Sequence, residues 1–259
     1  MPIVKKEIDA LKRSLDEIRI ELEKKFNIEM QFAEYQPKPY SLFEHFVLYN
    51  SALAVSPERL QLNRLSRGDA RSAGGLPIPA VKSYKTVWRM GTTLKPSITV
   101  ACKNELSFWF DRALVNNLRP DIVVRPGHFE IEGEISEHVQ LLRNGSLIAE
   151  YCCTPLEQQD GFLMLSQTMK WSSGETARLY FRAKNEYLHP PLIIECKSFG
   201  AKLGNPEEYA THAEAVVIVS PEKLYQPKRE NMHVIRVDRE FSNLQLRKDL
   251  LAHLEHTLT

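Results

Sequence analysis

Apolar residues near the N-terminus recur in steps of four and three, the pattern of an amphipathic helix with a seven-residue repeat. The repeating positions are Val4, Ile8, Leu11, Leu15, Ile18 and Leu22. Charged residues, lysine and glutamate among them, fill most of the positions between them. The stripe either packs on the chain's own domain or pairs with a second copy as a short coiled coil. So short a repeat favours packing within the chain.

The pattern weakens between Glu29 and Ser97, where prolines interrupt it repeatedly. From Glu58 to Pro96, eight basic residues stand against two acidic ones, a net charge of +6 in a chain whose total is +1. Tyr84 and Trp88 lie among these bases, as in surfaces that bind phosphates and stack on bases. A solvated loop with coincidental charge is the alternative. The candidate nucleic-acid contacts are Arg64, Arg67, Arg71, Lys82, Lys85 and Arg89, with Lys202 further along the chain.

From Ala101 onward the apolar pattern predicts a succession of helices and strands. Residues 105–118 are expected to form an amphipathic helix, and Ile122, Val123 and Val124 a short buried strand. Two hairpins are expected next. The first pairs Phe129–Leu142 with Ser146–Tyr151 around an Asn-Gly turn, and the second pairs Phe162–Trp171 with Thr176–Phe181.

The remaining third of the chain predicts three more buried strands and two helices. The strands are expected at residues 192–197, 215–219 and 234–237. A helix is expected to begin at Asn205-Pro206, because asparagine suits the cap and proline suits the first helical position. Leucines near the C-terminus predict a final helix. The order predicts an α/β fold with a mixed sheet.

Composition narrows the class of protein without naming a partner. The apolar fraction of 43% and the net charge of +1 are those of an ordinary globular chain, so affinity for nucleic acid must come from a local patch. The four cysteines contain no C-x-x-C pair, which disfavours a zinc site. Neither an apolar leader nor a membrane span is seen, so a soluble cytoplasmic protein is expected. No G-x-S-x-G or G-x-x-x-x-G-K-[ST] motif supports serine hydrolase or ATPase chemistry.

Charged residues at the ends of two apolar strands form the candidate chemical site. Glu195 and Lys197 are two positions apart, so they share one face of an extended strand, while Cys196 points to the other. Asp121 begins the strand at 122–124. Charges in buried strands are costly unless they are paired or bind a metal. If the two strands are neighbours, Asp121 and Glu195 can hold one divalent cation.

With Pro120-Asp121 and Glu195-Cys196-Lys197, the chain resembles the PD-(D/E)XK nuclease superfamily. The similarity covers about residues 101–238 and rests on three motif residues. The resemblance implies a restriction-endonuclease-like core of order α-β-β-β-α-β, with Mg²⁺ or Mn²⁺ bound by Asp121 and Glu195. The main-chain carbonyl of Cys196 is a third implied ligand, and Lys197 is implied to position the attacking water. Members of the family often place a glutamate on the helix before the PD motif, and Glu105 is the candidate.

One feature departs from the family pattern. Asp121 and Glu195 lie 74 positions apart, more than the family usually shows, so an inserted hairpin must be assumed. The acids on that hairpin that compete for the role of Asp121 are Glu130, Glu132 and Glu150. A purely structural role is the alternative, in which Glu195 and Lys197 form a salt bridge and Asp121 caps a turn.

Together these observations predict a restriction-endonuclease-like mixed sheet flanked by helices, with an N-terminal helical extension. Residues 1–97 would hold the first helix and the basic loop-rich segment, and residues 98–259 the nuclease-like domain. The expected function is Mg²⁺-dependent endonuclease cleavage of DNA, in restriction, repair or mobile-element defence. The alternatives are an inactive nucleic-acid-binding subunit of a larger effector complex, or a ribonuclease. A homodimer through the first helix is a further expectation.

Overall fold

The computed structural model describes most of the chain. The described residues are 2–28, 39–62, 96–110, 120–133, 138–152, 154–170, 176–184, 191–197, 206–221 and 226–258. Within them the helices are α1 (Pro2–Phe26), α2 (Pro39–Ala54), α3 (Pro206–Tyr209) and α4 (Asn243–Leu258).

Twelve strands lie in the described residues and form two separate sheets. The first four are β1 (Arg59–Leu62), β2 (Ile98–Ala101), β3 (Glu105–Phe110) and β4 (Ile122–Pro126). The next five are β5 (Phe129–Gly133), β6 (His138–Arg143), β7 (Ser146–Cys152), β8 (Phe162–Lys170) and β9 (Thr176–Lys184). The last three are β10 (Leu192–Cys196), β11 (Ala215–Ser220) and β12 (Met232–Arg236).

The central sheet is mixed, as predicted, and has the order β1-β2-β3-β4-β10-β11-β12. Neighbours from β1 to β10 are antiparallel, whereas β10, β11 and β12 are parallel. Strands β10 and β11 are continuous apolar runs because residues on both of their faces are buried. The chain is therefore an α/β protein with a seven-stranded mixed sheet, and the predicted strands at 122–124, 192–197, 215–219 and 234–237 are confirmed in outline.

The insertion between β4 and β10 is larger than the predicted hairpins. Its five strands form an antiparallel sheet of order β5-β6-β7-β9-β8. The predicted hairpins β6–β7 and β8–β9 are confirmed. Asn144 and Gly145 both have positive φ, 50° and 76°, as a tight two-residue turn requires. The predicted single segment at residues 129–142 is wrong, because it divides into β5 and β6.

The helix predicted at residues 105–118 is wrong over its described part. Residues 105–110 form β3, which pairs with β2 on one side and β4 on the other, and residues 111–119 lie outside the described residues. Five consecutive residues of β3 are buried. A strand covered on both faces has no period of two, so its apolar run resembled the stripe of a helix.

Helix α2 was not predicted from the sequence. Nearly all of its side chains with a described environment are buried, among them Phe43, Phe46 and Leu48. A helix buried on most sides lacks the alternation of polar and apolar faces that identifies a surface helix. The helix start predicted at Pro206 is confirmed by α3. The predicted C-terminal helix is confirmed by α4.

The heptad stripe of α1 is buried in the chain's own core. Leu11, Leu15, Ile18 and Leu22 are at most 4% exposed and belong to one hydrophobic cluster with α2, α4 and the central sheet. Asn243 at the start of α4 donates hydrogen bonds to α1, including one of 3.1 Å to the carbonyl of Ser14. The core therefore crosses the boundary predicted at residue 97. No helix in the described ranges is long and apolar enough to cross a membrane.

Two isoleucines of α1 offer a matched test of this packing. Ile18 is completely buried, whereas Ile20 is 42% exposed. We expect Ile18→Ala to lower the free energy of unfolding by about 2–5 kcal/mol, because it leaves a cavity. Ile20→Ala should change it by about 0.5 kcal/mol or less. Urea unfolding at several protein concentrations measures both. A midpoint that rises with concentration would place the stripe in an interface between copies instead.

Candidate active site

The strand register brings the two predicted acids to the same place. Ile122 of β4 pairs with Ile194 of β10 in the antiparallel ladder. Asp121 precedes β4 by one residue, and Glu195 follows Ile194, so the two acids face each other across the pair. They lie at the edge of the central sheet where β4 begins and β10 ends. This neighbourhood is the condition on which the predicted site depended.

Each acid accepts a hydrogen bond from the main chain beside the other. The Asp121 amide donates to Glu195 Oε2 at 3.2 Å, and the Cys196 amide donates to Asp121 Oδ2 at 2.6 Å. The pairing continues the ladder for one more step with side-chain carboxylates in place of main-chain carbonyls. We call this pair of hydrogen bonds the carboxylate clasp. It holds both carboxylates at one point of the sheet edge.

Lys197 completes the candidate site on the face predicted for it. Its Nζ forms an ion pair with Glu195 Oε1. The two side chains are only 13% and 4% exposed. Cys196 points to the opposite face and belongs to the core cluster with Ile194. The alternation predicted for these strand residues is confirmed.

Burial dominates the electrostatics of the two carboxyl groups. It raises the pKa of Asp121 well above the usual range, and the negative charges of Glu195 and Glu44 raise it further. Burial also raises the pKa of Glu195, and the contacts with Lys197 and Asp121 offset only part of that effect. Any added positive charge nearby would therefore stabilise the ionised forms of these two neighbouring acids.

Burial and neighbouring charges act on the pKa of Lys197 in opposite directions. Burial lowers the pKa of Lys197, but the charges of Glu195 and Asp121 raise it by more, so it lies above its ordinary value. Lys197 therefore stays protonated at neutral pH and carries a fixed positive charge. Burial, followed by the charges of Asp121 and Glu44, raises the pKa of the Cys196 thiol well above the ordinary value. That thiol remains neutral and is not a nucleophile here.

Glu44 is a third acid at the site and was missed in the sequence. It lies in α2, and its charge raises the pKa of both Asp121 and Cys196. Its helix neighbour His45 packs on Phe110 of β3, with ring centroids 4.9 Å apart, which holds this part of the helix against the sheet. The available signal was that Glu44 is the only acidic residue between Pro39 and Ala54, a segment without lysine or arginine.

Glu105 does not belong to this site, which corrects the prediction that it is a further metal ligand. It begins β3 and is exposed. The opposite end of β3, Phe110, is the end that pairs with Ile122 beside Asp121. Five residues of strand separate the two ends, about 17 Å at 3.4 Å per residue. The error follows from assigning residues 105–118 to a helix.

The acids that compete with Asp121 lie in the second sheet. Glu150 of β7 forms an ion pair with Arg182 of β9. Glu130 and Glu132 are in β5, paired with Leu142 and Gln140 of β6. The clasp with Glu195 is made by Asp121, which distinguishes it from these three.

The predicted nucleic-acid contacts lie outside the described residues. They are Arg64, Arg67, Arg71, Lys82, Lys85, Arg89 and Lys202. The described residues that flank the first six can nevertheless be placed. Leu62 ends β1 and pairs with Ile98 of β2, which pairs in turn with Phe108 of β3. Strand β1 therefore ends, and β2 begins, toward the edge that holds the carboxylate clasp, with one strand between β2 and β4 and two between β1 and β4.

The donor set fits a hard divalent cation. Asp121 and Glu195 supply carboxylate oxygens, which Mg²⁺ and Mn²⁺ prefer, and Mg²⁺ commonly binds through one or two carboxylates while keeping several waters. Burial keeps the pKa values of both carboxyl groups raised despite the charge of Lys197, so a bound cation would favour their ionised forms. Among the described residues, no group of three or more histidine, cysteine, aspartate or glutamate side chains is arranged to hold a metal.

Comparison with models of known protein families, with curated proteins and with solved structures gives no match to this chain.

The raised pKa values predict how stability depends on pH when metal is absent. The folded state favours the protonated carboxyl groups. Their contribution to the free energy of unfolding is therefore fully present below the ordinary pKa values of 3.8 and 4.5. It is lost as pH rises through the higher values of the folded protein. Asp121→Asn keeps an acceptor for the Cys196 amide without the charge. We expect this variant to be more stable than wild type at neutral pH, with the difference shrinking toward low pH.

Urea unfolding in EDTA measures this difference, with Glu105→Gln as the control at an exposed position. The control should follow the wild type across the pH range. A less stable Asp121→Asn variant at neutral pH would contradict the electrostatic account, because it would mean that the ionised carboxylate stabilises the fold.

Proposed function

We propose that this chain is a metal-dependent nuclease that hydrolyses phosphodiester bonds, with DNA as its substrate. The observation that carries the proposal is the carboxylate clasp, with Lys197 on the same face. The buried Glu195, the half-buried Asp121 and one lysine meet at a sheet edge although the two acids are 74 residues apart. An endonuclease role in restriction, repair or mobile-element defence follows from the resemblance to the PD-(D/E)XK superfamily.

The order of elements supports this proposal. If β1 and β2, which follow α2 and extend the sheet beyond β3, are set aside together with the inserted second sheet, helix α2 is followed by β3, β4 and β10, then by α3 and β11. That is the order α-β-β-β-α-β of the restriction-endonuclease-like core, with β4 and β10 adjacent and the second sheet inserted between them. In this assignment α2 takes the place given to residues 105–118, and Glu44 replaces Glu105 as the glutamate on the preceding helix.

The residues at the clasp have separable roles in the proposed reaction. Asp121 and Glu195 would hold Mg²⁺ or Mn²⁺, with the Cys196 carbonyl as a further oxygen donor. When bound, such an ion supplies Lewis-acid activation of a phosphate and lowers the pKa of a bound water. Lys197 would place its positive charge beside the scissile phosphate, where negative charge grows in the transition state. Glu195 orients that ammonium through their ion pair.

The basic segment supports nucleic acid as the substrate. It joins the sheet toward the site edge on both sides, and its lysines and arginines suit a phosphate backbone. Contacts to phosphates carry no information on the sugar, so RNA is the second substrate to be tested. Since α1 is buried within the chain, a second copy would associate through another surface.

Removing the lysine is the first test of the proposed activity. We expect the wild type to nick or cut circular DNA in Mg²⁺ or Mn²⁺, and Lys197→Ala to lose about 100-fold or more of the rate, because a charge aimed at the transition state is removed. Lys25→Ala is the matched control, because Glu23-Lys24-Lys25 is a second Glu-x-Lys in α1. Equal cleavage by both variants would assign the activity elsewhere.

Metal binding is a second test that does not depend on turnover. Mn²⁺ titration followed by electron paramagnetic resonance should show one site in the wild type. Its affinity should fall at least about tenfold in Asp121→Asn and in Glu195→Gln, since each loses a charged ligand. Glu44→Gln should weaken it less, and Glu105→Gln should leave it unchanged. A Glu105→Gln variant as weak as Asp121→Asn would contradict the placement of the site.

A catalytically inactive binding subunit is the second candidate function. It is favoured by the observation that both oxygens of Glu195 already have partners, Lys197 and the Asp121 amide. In that case the clasp only joins β4 to β10. Nucleic acid would then bind equally well in EDTA and in Mg²⁺, with neither cleavage nor a Mn²⁺ signal.

A further inference from the structure

The second sheet carries a row of basic and aromatic residues on one face. Side chains two apart along a strand share a face, which groups Arg178, Tyr180, Arg182 and Lys184 of β9. Phe162 of the edge strand β8 pairs with Lys184, and therefore lies on the same face. We call these five residues the β9 row. Ala183, between two of them, points to the other face and is fully buried.

The members of the β9 row differ in how accessible they are. Arg178 is exposed, and Tyr180 and Lys184 are half-buried. Arg182 forms an ion pair with Glu150 and donates a hydrogen bond to the carbonyl of Glu157, so its charge is already neutralised within the protein. Lys184 Nζ lies 6.0 Å from the centre of the Phe162 ring, and the Arg182 guanidinium lies 5.5 Å from it. Two cations and one aromatic ring remain for a ligand.

We propose that the β9 row binds single-stranded nucleic acid. Cations spaced along a strand with an aromatic side chain between them can track a phosphate backbone while a base stacks on the ring. Arg178 and Lys184 stand six positions apart with Tyr180 between them, about 20 Å at 3.4 Å per residue, which requires an extended polyanion rather than a small anion. Stacking needs an unpaired base, so a single strand fits better than a duplex.

The proposal deepens the proposed nuclease function and rests on it for the choice of substrate. Strand β9 is followed, after residues 185–191, by β10, which ends at Glu195. Strand β10 runs toward the clasp, and its first residue, Leu192, lies three positions before Glu195, about 10 Å at 3.3 Å per residue. No member of the row takes part in the clasp or in the ion pair of Lys197, so the row should affect substrate binding rather than the chemical step.

Anisotropy of a labelled oligodeoxythymidylate of about 20 nucleotides, long enough to span one binding groove, tests the row in EDTA across a range of NaCl concentrations. We expect Arg178→Glu with Lys184→Glu to weaken binding by tenfold or more. The slope of log K against log[salt] should become less negative by about 1.4, the value for two phosphate contacts to a single strand. Tyr180→Ala should weaken binding about tenfold, and Tyr180→Phe should restore it, because a ring suffices for stacking.

Lys12→Glu with Lys248→Glu is the matched control. It makes the same change of charge at two exposed helix positions away from the row, and it should bind like the wild type. Circular dichroism and thermal unfolding of each variant establish that it is folded. Equal binding by the two double variants would overturn the proposal, as would a wild type that binds duplex more tightly than single strand or does not bind the oligonucleotide.

Cleavage of the same oligonucleotide in Mg²⁺ separates this proposal from the nuclease assignment. Binding that depends on the row, without cleavage, supports the row and removes the nuclease function. Cleavage is compared at oligonucleotide concentrations below saturation. If Arg178→Glu with Lys184→Glu cleaves as fast as the lysine control, the nuclease function is supported and the proposed role of the row is overturned.

Discussion

The arrangement of the site depends on the carboxylate clasp between β4 and β10. Two side-chain acceptors, Asp121 and Glu195, take the amide of a residue on the opposite strand and extend the ladder beyond its last main-chain pair. Both acids are therefore held at one point, in surroundings where burial raises their pKa values. Two amide hydrogen bonds and the positive charge of Lys197 offset part of the repulsion between the two carboxylates. The same features that make the clasp costly without a cation make it suited to hold one.

The surrounding fold keeps that edge of the sheet in place. Helix α2 packs on one face of the sheet, where His45 contacts Phe110 of β3, and it places Glu44 close enough to raise the pKa values of Asp121 and Cys196. Helices α1 and α4 both pack on α2, so the two N-terminal helices belong to the same core as the strands that carry the acids. The five-stranded insertion follows the end of β4 that lies away from the clasp and returns at Leu192, which pairs with Val124. It enlarges the protein without interrupting the pairing on which the clasp depends.

Much of the site could be predicted, because its signals are local. Alternation along a strand placed Glu195 and Lys197 on one face and Cys196 on the other, and the structure has them so. Asn144-Gly145 predicted a hairpin through the φ values that such a turn demands. The sequence patterns of residues 105–110 and of helix α2 misled for the same reason. Both segments are buried on most sides, so neither shows the periodicity that distinguishes a helix from a strand. The error at Glu105 followed directly from the first of these.

The sequence by itself determined the strands that hold the acids, the turn of the β6–β7 hairpin, the apolar stripe of α1 and the types of residue available for chemistry. All of these depend on neighbours within a few positions. Only the tertiary structure decided that Asp121 faces Glu195, that Glu44 joins them and that α1 packs inside the chain. Those contacts join residues far apart in the chain, and they depend on which strands and helices become neighbours when the whole apolar surface is buried together. That choice is a property of the complete fold, and no local pattern contains it.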